Sequence, residues 1–387
     1  MLAIVNGKVC TITAGTIEKG TVLVEDGKIK AVGADVTVPE GAEIIDAAGK
    51  WVMPGLIEAH SHIALMNEPS AGGPGGDFNE NSSPVVPFVR AMDSFNPHDL
   101  SVSETRKAGF TTCCILPGSS NLVGGTGFSA KMRAGRIVEE MLIPGTEVMK
   151  FALGENPRRN YREKDKLPKT RMGNAALLRE TLSKAKAYSD AKLKAEKEGT
   201  KEPETDFRLE PLVPVIRGEM RCRIHCHRCD DIATALRIAE EFNLWFSLEH
   251  ATEGYLIADI LAQKGVTCVV GPMMLKPYKQ EVWGRKLETP GILSKAGVKI
   301  CMTQDDDVMT KLLPMYVGKC MTCGLDEETA LKSLTIHPAE LLGLADRVGS
   351  LETGKDADIA IFDGHPFCNF TTCTHTIIEG EVYENNK

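Results

Sequence analysis

Two histidines one residue apart, His60 and His62, close a short apolar run that begins at Pro54-Gly55-Leu56-Ile57. Side chains alternate faces along an extended strand, so residues two apart project together. Two imidazoles on one face at a strand end are the beginning of a metal site. Further groups of ligand type stand at the ends of other expected strands: Lys150, His225, His227, His250 and Asp305. His225 and His250 are 25 residues apart, one tight strand–helix unit, and His250 and Asp305 are 55 apart, two such units. Lys150 and His225 are 75 apart, one unit plus a helical insertion. Taken singly, each histidine also reads as a solvated or hydrogen-bonded loop residue. Five of the nine histidines belong to this set, however, and unrelated core histidines would not track strand ends.

The elements that must carry these groups fall into two kinds. Residues 3–53 read as short β-prone runs punctuated by Asn6-Gly7 and Asp26-Gly27, which are hairpin signals. The C-terminal runs Asp358–Phe362 and His375–Ile378, the latter turning at Glu379-Gly380, have the same character. Between them strand candidates alternate with helical periodicity: 111–116, 148–153, 222–225, 245–250, 266–270 and 298–302. This pattern predicts an α/β chain with a parallel sheet flanked by helices, and a small sheet domain made from both chain ends. The expected division is 1–53 plus 346–387 for the β domain and 54–345 for the α/β domain. Residues 66–98, rich in Gly, Pro, Asn and Ser, read as a long loop beside the first strand of the α/β domain, and 173–205 as a charged surface helix with a flexible tip.

Composition narrows the function classes. The formal net charge of -8 argues against a nucleic-acid binder. No apolar run approaches the ~20 residues of a membrane helix. Met1–Lys8 lacks a basic region followed by a long apolar run, so no secretory signal is expected. The 12 cysteines are scattered through a long chain and read as free thiols of a reducing compartment, with cytoplasm as the expected location. A zinc finger at Cys226–Cys229 lacks a second pair at finger spacing. Cys320-x-x-Cys323 reads as structural thiols.

The constellation resembles the amidohydrolase superfamily of metal-dependent hydrolases, in particular its imidazolonepropionase-related branch, which includes dipeptidases. The segments Leu334–Leu344 and Gly349–Ile359 resemble the closing segments of that superfamily, and the likeness runs over essentially the whole chain. It implies a (β/α)8 TIM barrel with a composite β-sandwich, and divalent metal, zinc by preference, as one or two ions. His60, His62 and Asp305 match the first-metal pattern; Asp305 is taken because it comes first off its strand, with Asp306 and Asp307 as loop carboxylates. His250 and His225 match the second-metal pattern, which leaves His227 to support the ligands from behind or to contact the substrate. Lys150 matches the lysine that CO2 converts to a bridging carbamate. Glu155, just past the same strand, is a rival bridge, and one-metal relatives need none.

Zinc lowers the pKa of water towards ~7 and polarises a carbonyl. Asp305 then serves as general base and acid, with His227 as hydrogen-bond donor to the oxyanion. The expected reaction is hydrolysis of a C–N bond in an amide, cyclic amide or dipeptide. A one-metal deaminase or ring hydrolase, a non-catalytic scaffold and a zinc-storage Cys/His protein are the rivals. Arg158, Arg159 and Tyr161 are candidate contacts for a carboxylate-bearing small molecule. The Gly-rich stretch 118–127 lacks P-loop spacing and reads as a mobile loop over the site. A homo-oligomer is compatible with the chain.

Overall fold

The computed structural model describes residues 1–66, 76–306 and 308–385; Asp307 and part of the expected 66–98 loop lie outside the described residues. The N-terminal region contains β1 (Leu2–Cys10), β2 (Thr16–Glu25), β3 (Lys28–Gly33), β4 (Glu43–Asp46) and β5 (Trp51–Pro54). The middle contains β6 (Leu56–Ser61), β7 (Phe110–Ile115), β8 (Val123–Lys131), β9 (Leu142–Ala152), β10 (Arg221–Cys226), β11 (Phe246–His250), β12 (Cys268–Val270) and β13 (Ile300–Met302). Near the C-terminus follow β14 (Ile359–Phe362), β15 (Cys373–Ile378) and β16 (Glu381–Glu384).

One sheet joins the two ends of the chain in the order β16-β15-β14-β5-β1-β2-β3, with β4 paired to β1. The junction is the antiparallel β5–β14 pair, Pro54 opposite Ile359. Period-two alternation decides its packing. Ile359 and Ile361 join a core with Ile4, Val22 and Val24, while Ala360 and Phe362 on the other face join the main core of the molecule. Gly109 lies at that seam, where an added Cβ would sit 2.7 Å from the Phe362 ring. The Asp26-Gly27 and Glu379-Gly380 turns have positive φ at both positions, as tight hairpins require. Asn6-Gly7 departs from expectation. It lies inside the continuous β1 strand, where the β1–β2 register shifts as at a bulge. A Cβ on Gly7 would meet Val52 at 2.5 Å, so close packing explains that glycine.

The second sheet runs β13-β12-β11-β10-β9-β8-β7-β6, a nearly closed eight-strand barrel with helices between most strands. Seven strands run in one direction. The exception is β8, antiparallel to both neighbours, which occupies much of the stretch expected to be a mobile Gly-rich loop. Its glycines meet crowded backbone: a Cβ on Gly125 would lie 2.3 Å from the Val89 carbonyl oxygen, and one on Gly127 2.5 Å from that of Ile115. Between the first and last strands, side chains bridge the seam: Thr303 Oγ1 donates to the His60 carbonyl (2.8 Å), and Glu58 accepts from the Gln304 N–H (3.1 Å). The expected surface helix is found at Arg171–Glu198, with Thr170 capping its start and Gly199 left-handed at its end. Among the described residues, no helix is long and apolar enough to cross a membrane, and the twelve cysteines are unpaired.

Candidate metal centre and active site

The strand ends bring His60, His62, Lys150, His225, His227, His250 and Asp305 into one buried region. Two groups form, His60–His62–Asp305 and His225–His227–His250, the ligand atoms of each lying within 4.8 Å of one another. The groups adjoin, since the His60 and His250 ring centres are 5.0 Å apart.

The hydrogen bonds decide which ring nitrogens are available. His62 Nδ1 is 2.7 Å from the Leu116 carbonyl and His250 Nδ1 is 2.8 Å from that of Gly271. A carbonyl can only accept, so both Nδ1 atoms carry a proton, which in a neutral ring leaves Nε2 with the lone pair. His60 Nδ1 donates to Glu249 Oε2 at 2.6 Å, and His227 Nδ1 meets Thr252 Oγ1 at 2.7 Å. Such outer partners are those that orient metal-binding imidazoles. Burial holds the His60, His225, His227 and His250 rings below the usual imidazole range, His250 at about 3, so they are neutral at pH 7.

Behind His60 lies a buried ion pair. Arg223 donates through Nε and Nη2 to the two oxygens of Glu249 (2.7 and 2.9 Å), and Ser247 Oγ adds a bond of 2.6 Å. Burial alone would raise the Glu249 carboxyl; Arg223 and His60 outweigh it and keep the group ionised. Neither Arg223 nor Glu249 was singled out in the sequence; Arg223 precedes His225 by two, the spacing of residues on one strand face.

In front, Asp305 Oδ1 lies 3.1 Å from His60 Nε2 and 3.3 Å from His62 Nε2. Lys150 Nζ, 2.8 Å from His60 Nε2, is the cation beside this cluster. The buried Nε2 atoms of His225, His227 and His250 and Oδ1 of Asp305 have no hydrogen-bond partner among the described residues. This donor set fits a divalent metal of zinc type: neutral imidazoles, one carboxylate and unmet lone pairs. Although burial would raise it, the carboxyl of Asp305 is held well below its usual range. Its backbone is left-handed (φ 57°), as are His250 (72°) and Ala251 (42°), so the site stores conformational strain.

Lys150 is fully buried, its Nζ 2.8 Å from His60 Nε2. Burial, assisted by Arg223, lowers its pKa to about 8, so a fraction is neutral amine near pH 7. Glu155 is placed otherwise than as a bridge. It starts the helix Glu155–Arg162 and its Oε2 accepts from the Glu281 N–H at 3.3 Å. The carboxylate beside the three histidines is instead Glu281, 3.8 Å from the Nε2 atoms of both His225 and His227. Glu281 and its ion-pair partner Lys279 (2.7 Å) follow β12 in a segment whose sequence has no strand or helix periodicity to mark it.

A cleft of about 430 Å³ opens over Asp305 and is lined by His62, Asn156, Arg159, Tyr278 and Lys279 among others. Arg159 therefore lines this cleft, whereas Arg158 is not among its lining residues. Tyr161, expected as a substrate contact, points into the protein. Its hydroxyl donates to the Ser83 carbonyl (2.6 Å) and accepts from Asn121 Nδ2 (3.0 Å), pinning the loop before it. A larger cavity, about 820 Å³ around Lys299 and His337, lies before β13 and contains none of these groups.

The amidohydrolase family profile matches residues 215–383. Amidohydrolase tasK of Hapsidospora irregularis is 29% identical over 376 residues, 90% of this chain, which spans only 38% of that protein's length. An imidazolonepropionase of Mesorhizobium japonicum is 24% identical over 394 residues, covering 90% of this chain and 87% of its own. The crystal structure of an amidohydrolase from Thermotoga maritima MSB8 superimposes with a TM-score of 0.95, at 41% identity, over 99% of this chain and 100% of that one. A likeness of that extent, in sequence and in fold alike, makes this chain a member of the amidohydrolase family.

Proposed function

We propose that the chain is a metal-dependent hydrolase that cleaves a C–N bond in a small amide, cyclic amide or dipeptide bearing a carboxylate. The observation that carries this reading is the approach of the His60 and His62 Nε2 atoms to Asp305, next to three buried histidine Nε2 atoms without a hydrogen-bond partner among the described residues, beneath an open cleft. The architecture is read as a barrel of the (β/α)8 kind with one antiparallel strand, plus a composite β-sandwich from residues 1–53 and 346–387.

His60, His62 and Asp305 would hold one ion, zinc by donor chemistry. A divalent ion there supplies Lewis acidity, lowering the pKa of water towards ~7 and polarising a carbonyl. Asp305 accepts the proton of the attacking water and returns it to the departing nitrogen. The Arg223–Glu249 pair holds His60 in one tautomer throughout. Arg159, with Lys279 beside it, holds the substrate carboxylate, and Phe78, whose ring is 5.1 Å from that of His62, shields the site from bulk water. Lys150, in part a neutral amine near pH 7, is the residue that would take up CO2, and a carbamate there would supply an oxygen donor beside His60.

Metal-loaded protein, screened against dipeptides, N-acyl amino acids and cyclic amides for release of an amine or a new carboxylate, tests the reading. Elemental analysis gives the metal content, and native intact mass reports a CO2 adduct on Lys150. Protein that takes up no metal on reconstitution would sink it. Ammonia released from aminated heterocycles would favour the deaminase rival, and opening of imidazolone-type rings the branch to which the Mesorhizobium relative belongs.

A further inference from the structure

The second group of histidines contains one member more than the reading above uses. His225, His227 and His250 form a triangle with ring centres 4.7, 4.4 and 4.7 Å apart. All three Nε2 atoms are buried and without a hydrogen-bond partner among the described residues. The Nδ1 contacts of His227 and His250, to Thr252 and Gly271, hold those two rings with Nε2 free.

A fourth donor is already in place. Glu281 Oε1 lies 3.8 Å from the Nε2 atoms of both His225 and His227. That is too long for a hydrogen bond. It is close to the separation of two donors on one ion: tetrahedral ligands at 2.0–2.2 Å stand roughly 3.3–3.6 Å apart. Three contacts fix the carboxylate there. Its Oε2 accepts from the Glu155 N–H (2.7 Å), its Oε1 pairs with Lys279 Nζ (2.7 Å), and Gly154 leaves the space it occupies, since a Cβ there would come within 2.6 Å of Oε2. Lys150, by contrast, directs its amine to His60 on the other group.

We propose that His225, His227, His250 and Glu281 form a complete four-donor site for a second divalent cation, one that needs neither Lys150 nor a carbamate on it. The proposal rests on the metal-dependent reading and reassigns His227 from oxyanion contact to metal ligand. It also makes the two sites unequal. Four protein donors fill a tetrahedral shell, as in sites that retain their ion, whereas His60, His62 and Asp305 supply three and leave a position facing the cleft.

The experiment is zinc titration of the full-length chain with elemental analysis after gel filtration, on wild type, His227→Ala, Glu281→Gln and Lys150→Met. Cobalt loading adds a ligand-field spectrum as a second readout, and far-UV circular dichroism with retention of the other ion shows that each variant folds. The expected result is about two ions in wild type and in Lys150→Met. His227→Ala and Glu281→Gln should retain one and bind the other at least tenfold more weakly, with an altered cobalt spectrum. Loss of the second ion in Lys150→Met, or two ions held with unchanged affinity in His227→Ala and Glu281→Gln, would overturn the proposal while leaving the hydrolase reading intact. A single ion in wild type would also overturn it. No ion in wild type would overturn both.

Discussion

Replacing Arg223 by Met removes one half of an ion pair whose two members are fully buried. An unpaired buried charge costs about 3–5 kcal/mol. Glu249 keeps its bonds to Ser247 and His60, so the loss for Arg223→Met should fall at the lower end, about 3 kcal/mol. In Glu249→Leu the guanidinium keeps the Ala59 carbonyl at 2.7 Å but no counter-charge, so the loss should approach about 5 kcal/mol. The double variant buries no charge at that position and should itself lose only about 2–3 kcal/mol, a coupling of about 5–6 kcal/mol against simple addition of the two losses. Stability is read from urea unfolding of the metal-free protein at constant slope. Metal binding should behave differently. Without Glu249 the His60 ring loses the acceptor that orients it, and zinc affinity at the first site should fall about 10–100-fold in Glu249→Leu. The double variant should show the same loss despite its recovered stability. Strict additivity of the two stability losses would refute the coupled pair, and full zinc affinity in Glu249→Leu would refute the orienting role.

Asp305→Asn should leave folding intact and lower turnover of the best substrate by about 10²–10⁴-fold, measured as initial rate at saturating substrate. Gly154→Ala combines a left-handed backbone (φ 89°) with a clash against Glu281; it should cost about 1–3 kcal/mol in thermal unfolding and weaken the second ion's binding. Lys131 Nζ is buried between Asp358 (2.7 Å) and Asp356 (3.1 Å), so Lys131→Met should destabilise by about 3 kcal/mol at pH 7. Although burial raises it, Asp356 is held below the ordinary carboxylate range by Lys131, Lys28 and Arg347. The unfolded chain therefore binds this proton more tightly than the folded one. Its contribution is present above about pH 4 and is lost as pH falls through the depressed value. Acid titration of stability should be flatter in Lys131→Met than in wild type, and equal slopes would count against the network.

The site was legible where a residue's type and its place on a strand carried the same message. His60 and His62 share a strand's period, His250 and Asp305 stand at or just past strand ends, and the structure brings all four together. Partners that act from behind were not legible. Arg223 and Glu249 have the sequence character of any charged strand residues, and only the register of β10 against β11 brings them into contact. Glu281 lies in a loop, where position depends on tertiary packing. The Gly-rich stretch was misread because glycine signals close backbone approach as readily as mobility: in β8 it lets strands cross a crowded region. Asn6-Gly7 was misread for a related reason, since the same pair serves a bulge or a turn. Tyr161 was placed beside the substrate by proximity in sequence, but its helix turns it towards Ser83 and Asn121.

The barrel's first and last strands meet without the continuous ladder that joins every other neighbouring pair, held by Thr303, Glu58 and a few contacts around them. His60 and His62 end the first of these strands, and Asp305 follows the last. On the metal-dependent reading proposed above, an ion held by these three side chains would add one more link across that seam. Its mark should be slower amide exchange in Cys301 and Met302 on loading, while β2 and β3 in the terminal sheet stay unchanged.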